Sequence, residues 1–211
     1  MIEALAIIIG YLLGSIPTAY IAGRLTRGVD IRQIGGGNMG ALNVAREIGR
    51  GVGAVVLVVD IAKGAGAILV AKYLGVSQLY IFLAGFASIV GHSWPIFFNF
   101  RGGKGAATTI GVFLALVPKE FACSLPIMGI VIGLTSNATL GVAIGLAFLP
   151  LFLWLFGQPL STIIYAILIA LFLGFRYLPA AKRSLDKAGK TRDFLIDKNY
   201  KPWQTHKNKL R

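Results

Sequence analysis

GHSWPIFFNFRGGKGAATT, residues 91–109, separates two apolar runs, and that separation decides the fold. To its left, Gln78 to Ile89 is almost unbroken in apolar residues; to its right, Ile110 to Val117 is another such run. Between them Arg101 and Lys104 stand on a turn that carries Gly102, Gly103 and Gly105. Glycine lets a backbone take positive φ and bring its N–H groups close to a ligand. Two cations beside such a turn form a compact anion site, for which phosphate is the usual occupant. A cytoplasmic loop whose cations only set topology is the alternative. Three glycines around two charges exceed what orientation requires. The G-x-x-x-x-G-K-[ST] spacing of a Walker A loop is absent.

The surrounding chain has 211 residues, 56% of them hydrophobic, with a mean hydropathy of +0.75. No soluble domain needs so much apolar surface, so lipid is the solvent for most of it. The net charge of +13 sits beside hydrophobic spans rather than on a basic domain, which argues against a nucleic-acid partner. Anionic lipid headgroups and phosphorylated substrates are the expected partners. Cys123 is the lone cysteine, and His92 and His206 are the two histidines, so neither a disulfide nor a metal centre is expected. MIEALAIIIGYLLG at the N-terminus has no basic leader and carries Glu3, so it reads as a retained first span rather than a cleaved signal.

A membrane helix needs about 20 apolar residues, fewer where protein surrounds it. Spans are expected near 2–23, 52–72, 78–97, 105–118, 121–135, 139–156 and 160–177. With the N-terminus outside, the inner segments hold every Lys and Arg except Lys63, Lys72 and Lys119. The positive-inside rule therefore gives an all-α polytopic bundle of about seven helices, N-terminus outside and C-terminus cytoplasmic. The expected division is a membrane bundle over 1–178 and a basic cytoplasmic tail over 179–211, suited to anionic lipid. All the glycine-rich charged loops fall on one face, which suggests one composite site.

Three further polar stretches bear on that site. Gly35 to Asn43, GGGNMGALN, followed by Arg46, matches G-x-G-x-x-G at Gly35, Gly37 and Gly40 without the βαβ unit that gives the motif its meaning. It remains an amide-rich loop entering a helix, with Asn38 and Asn43 as hydrogen-bonding groups and Arg46 as a planar cation; a tightly packed structural loop is the alternative. Asp60 and Lys63 share one face of the second span. They either pair with one another to lock helices or serve a substrate. His92 closes the third span and reads more readily as a hydrogen-bonded structural residue than as a catalyst. Gly133 to Thr139, GLTSNAT, breaks the chain between two short spans; its hydroxyls can bind a polar substrate or join helices.

At these residues the chain resembles the PlsY-type glycerol-3-phosphate acyltransferases, bacterial inner-membrane enzymes that use acyl phosphate as donor. The resemblance covers nearly the whole chain. G-H-x-x-P-x-F-x-x-F-R-G-G-K-G is met by Gly91, His92, Pro95, Phe97, Phe100, Arg101, Gly102, Gly103, Lys104 and Gly105. D-x-x-K-G is met by Asp60, Lys63 and Gly64, and the first motif by Gly35, Gly37, Asn38, Gly40, Ala41, Asn43 and Arg46. The chain departs from the pattern at Gly36, Leu42, Leu134, Tyr177 and Ala180, while Gly133, Ser136, Thr139 and Arg176 are kept. The resemblance implies a multi-pass enzyme of a prokaryotic cytoplasmic membrane. It would move a fatty acyl group from acyl phosphate to the 1-hydroxyl of sn-glycerol 3-phosphate, giving lysophosphatidate, without cofactor, metal or acyl-enzyme. Lys104, Arg46 and Ser136 are the expected catalytic residues. Asn38, Gly40, Asn43, Lys63, His92, Arg101, Gly102, Gly103, Gly105 and Thr139 are the expected substrate and phosphate contacts. Recruitment of a soluble enzyme that makes the donor is compatible with the tail. The departures leave two alternatives: a diverged enzyme with another phosphorylated acceptor, or a non-catalytic membrane anion binder or transporter.

Overall fold

The computed structural model describes residues 1–188, with side chains described through Pro179. Among the described residues every regular element is helical: α1 (Ile2–Gly14), α2 (Thr18–Arg27), α3 (Ala41–Glu47), α4 (Arg50–Tyr73), α5 (Gln78–Ser93), α6 (Ala106–Leu116), α7 (Pro118–Thr135), α8 (Ala138–Leu155) and α9 (Leu160–Ala188). Short 3-10 turns occupy Ile31–Gln33 and Ile96–Phe98. The chain forms two compact units, Met1–Phe121 and a second that begins at Ala122.

Large apolar side chains on the helix surfaces are left uncovered, among them Ile8 at 54%, Val58 at 64% and Leu168 at 58% exposure. In water such a surface would be strongly unfavourable, so these helices present it to lipid. Five helical segments are long and apolar enough to cross a membrane: Ile2–Arg27, Arg50–Tyr73, Gln78–Phe98, Ala138–Leu155 and Leu160–Pro179. The expected span at 105–118 is an 11-residue helix, α6. At 1.5 Å per residue it reaches about 17 Å, too short to cross about 30 Å of hydrocarbon alone. The expected first span is not continuous either. Pro17 lacks an N–H and pushes Ile16 out of helical geometry, so the chain breaks between α1 and α2.

In the first unit, helices approach through glycines. A Cβ on Gly10 or Gly14 of α1 would run into the Ala84 or Ser88 carbonyl of α5, and one on Gly91 into the Tyr11 carbonyl. Likewise Gly64 of α4 lies against the Thr108 carbonyl, and Gly111 of α6 against Ile61. Lipid gives helices no hydrophobic reason to associate, so close backbone contact must hold them. Ile31, Met39, Val44, Ile48 and Val56 are buried as one cluster, which packs the loop between α2 and α3 down onto α4.

In the second unit, the break before α8 is a capped helix start. Asn137 Oδ1 accepts the Leu140 N–H at 3.1 Å, and Ser136 takes φ +53°. Leu146, Leu149 and Leu153 of α8 are buried, as are Tyr165, Ala166, Ile169 and Leu173 of α9. α9 runs past the expected boundary at residue 178, and the basic tail's remaining residues lie outside those described.

Candidate active site

Two glycine turns meet in the first unit. The first, residues 34–40, is organised by one side chain. Asn43 Oδ1 accepts the Gly36 N–H at 2.8 Å, while its Nδ2 donates to the carbonyls of Ile31 (3.1 Å), Ile34 (3.2 Å) and Asn38 (3.1 Å). Gly35 and Gly37 sit at φ +59° and +66°, left-handed geometry that lets the turn fold around that carboxamide. Asn43, expected as a substrate contact, therefore acts on the loop itself. Asn38 is half-buried with its amide beside Gly40, and Arg46 is exposed in the last turn of α3.

The second turn follows α5. Asn99 and Phe100 both take positive φ, +53° and +57°. For a bulky phenylalanine this is strained backbone, immediately before Arg101. Gly105, at φ +92°, starts α6, whose N-terminal end faces the turn and favours an anion there. Arg101 is exposed and Lys104 half-buried.

Gly103 joins the two turns: a Cβ there would come 2.8 Å from the Met39 carbonyl, so only glycine permits this approach. A second contact reinforces the first. The Tyr20 and Phe98 rings lie 4.6 Å apart, and the Arg32 guanidinium covers both, 5.3 and 5.7 Å from their centres. Arg32 in turn makes a fork to Asp30, with Nη2 to Oδ2 at 2.7 Å and Nε to Oδ1 at 3.0 Å. That hydrogen bond holds the Asp30 carboxyl below its ordinary pKa. Tyr20, Asp30, Arg32 and Phe98 were not legible as a group, because neither spacing nor motif links them.

Beneath the turns lies a buried ionic cluster. Lys63 Nζ is 2.9 Å from Asp60 Oδ1 and donates to the Ile16 carbonyl at 3.2 Å. Asp60 Oδ1 is also 3.7 Å from His92 Nδ1. Neither contact is an aligned hydrogen bond to the carboxylate: Lys63 and Asp60 form an ion pair, and the imidazole stands beside it. Lys63 and His92, expected at phosphate, are thus drawn toward Asp60, and they line a small hollow with Ile16, Thr18, Met39 and Pro95. In the second unit, Ser136 stands in left-handed geometry at the α7–α8 break, with Thr139 in the first turn of α8. Among the described residues no three His, Cys, Asp or Glu side chains gather as a metal set.

Fold and site together define a polytopic membrane protein in which two glycine turns, each accompanied by cations, lie against one another. The family model for glycerol-3-phosphate acyltransferase matches residues 4–187, and the chain belongs to that family. It is 37% identical over 199 residues to glycerol-3-phosphate acyltransferase 1 of Dehalococcoides mccartyi, covering 92% of this chain and 96% of that protein. It is 39% identical over 181 residues to glycerol-3-phosphate acyltransferase 2 of Moorella thermoacetica, covering 86% and 93%. Crystal structures of PlsY (YgiH), an integral membrane glycerol 3-phosphate acyltransferase, are similar at 33% identity over 87% of this chain and 92% of theirs. The TM-score is 0.78 for the glycerol 3-phosphate form and 0.79 for the lysophosphatidic acid form.

Proposed function

We propose that this protein transfers a fatty acyl group from acyl phosphate to the 1-hydroxyl of sn-glycerol 3-phosphate, giving lysophosphatidate and inorganic phosphate. The observation that carries the reading is the approach of Gly103 to Met39, which places two family motifs, distant in sequence, side by side. Family membership and the named relatives support the acceptor. The donor follows from the chemistry. Acyl phosphate is a mixed anhydride, already activated, so neither a metal nor an acyl-enzyme is required. The acceptor oxygen attacks the acyl carbon, the carbon–oxygen bond to phosphate breaks, and the departing phosphate takes the hydroxyl proton. Positioning and charge stabilisation supply most of the acceleration.

In this scheme Lys104 and Arg101 hold the two phosphoryl groups, with Arg46 as a third cation. The amides of Gly40, Gly102 and Gly105 add donors, and Asn38 and Asn43 set the shape of the first turn. The acyl chain lies among the lipid-facing helices. The scheme assumes seven spans with the N-terminus outside and both turns cytoplasmic, where anionic lipid meets the basic tail. Acyl-phosphate-dependent lysophosphatidate formation in proteoliposomes is the test. Lys104→Ala is expected to lower kcat by about 100-fold or more, the scale of removing a preorganised charge-stabilising group. Full activity in that variant removes Lys104 from the scheme.

A changed acceptor is a second reading. Gly36, where the family carries serine, offers only its peptide N–H, and that is bound to Asn43. A panel of phosphorylated polyols offered with one acyl phosphate separates the two readings.

A further inference from the structure

Asp60, Lys63 and His92 have no assigned contact with substrate in the scheme above, yet they are 1%, 6% and 7% exposed. Ionisable groups inside a membrane protein are costly and persist where they pair or perform a task. Their contacts converge on the second glycine turn. Asp60 faces His92 Nδ1 at 3.7 Å. On the other side of the ring, a Cβ on Gly103 would run into His92 Nε2. The His92 carbonyl accepts the Gly103 N–H at 3.0 Å, and Gly102 packs against the carbonyls of His92 and Ser93. The imidazole is therefore a wedge between the α4 carboxylate and the turn that carries Arg101 and Lys104. From the same pair, Lys63 reaches the Ile16 carbonyl at the α1–α2 break.

We propose that Asp60 and Lys63, acting through His92, are positioning residues that hold the Arg101–Gly105 turn in its working geometry. Lys63 balances Asp60 rather than meeting a phosphate, Asp60 fixes the imidazole, and the imidazole sets the height of Gly103. This rests on the acyl-transfer reading for its kinetic arm only.

The arrangement makes a test by paired neutralisation. Removing one partner of a buried ion pair leaves a lone charge, whereas removing both need not be harmful. In full-length protein in proteoliposomes, Lys63→Met is expected to lower kcat tenfold or more. Asp60→Asn/Lys63→Met is expected to recover at least threefold over Lys63→Met, with KM for glycerol 3-phosphate within threefold of wild type. A double variant no better than Lys63→Met, or one with KM raised tenfold, overturns the proposal in favour of a direct substrate contact. Gly103→Ala drives a methyl group into the imidazole and toward the Met39 carbonyl, and is expected to lose tenfold in kcat with a lowered Tm; wild-type kcat there also overturns the proposal. Trypsin cleavage after Arg101 and Lys104, located by fragment mass, reads the turn without catalysis. It is expected to quicken in Lys63→Met and return to the wild-type rate in the double variant; an unchanged rate in Lys63→Met overturns the proposal. If wild-type protein makes no lysophosphatidate, the acyl-transfer reading fails while the cleavage arm still decides this one.

Discussion

Asn43 shows how a motif residue can act on the backbone of its own loop. All of its polar capacity goes to Gly36, Ile31, Ile34 and Asn38, so an uncharged side chain shapes a turn whose neighbours are cations. The motif singled out Asn43 as a position, but spacing alone does not distinguish a loop organiser from a contact. Asp30 is a similar case outside any motif. Its carboxyl, held below the ordinary value by Arg32, contributes stability that is fully present above the unfolded pKa of about 4. That contribution is lost as pH falls through the lower, folded value. Asp30→Asn is therefore expected to lower Tm at pH 7 by the equivalent of about 1 kcal/mol. The gap to wild type should narrow as pH falls below about 4; a gap that stays constant on acidification removes the Asp30–Arg32 fork as its source.

At the scale of elements, α4 and α6 cross where Gly64 meets Thr108 and Gly111 meets Ile61. Alanine is the better helix former by about 1 kcal/mol. Yet a methyl at Gly111 strikes the Ile61 carbonyl, and forcing backbones apart in a packed contact costs about 1–3 kcal/mol. The collision should win, so Gly111→Ala is expected to lower Tm in detergent. Gly174→Ala in α9 is the control, since a Cβ there meets nothing within 4 Å. Helix identity was legible from apolar runs: five of the seven expected spans correspond to one helix each and 78–97 to α5 with the 3-10 turn after it, while five segments rather than seven are long and apolar enough to cross a membrane. The seventh, 2–23, hid the α1–α2 break: Pro17 was visible, but the apolar run on either side outweighed it. Nothing local shows that α6 needs glycines at Gly111 and, on α4, at Gly64 to pack.

For the whole molecule, the orientation proposed from charge along the chain has a direct test. In a Cys123→Ser background, a membrane-impermeant thiol reagent applied to intact cells is expected to label Ser77→Cys in the α4–α5 loop. Gln33→Cys, in the loop between α2 and α3, should react only after permeabilisation. The reverse pattern inverts the topology and places both glycine turns on the outer face. Hydropathy and charge are sums over neighbouring residues, so the sequence by itself determined a polytopic helical membrane protein, its glycine turns and its family resemblance. Tertiary structure alone decided that Asp60 reaches His92, that Gly103 lies against Met39, and that Arg32 covers Tyr20 and Phe98. The physical reason is that each of these is an encounter between separate elements, set by how closely glycine lets backbones approach and by where a buried charge finds its partner.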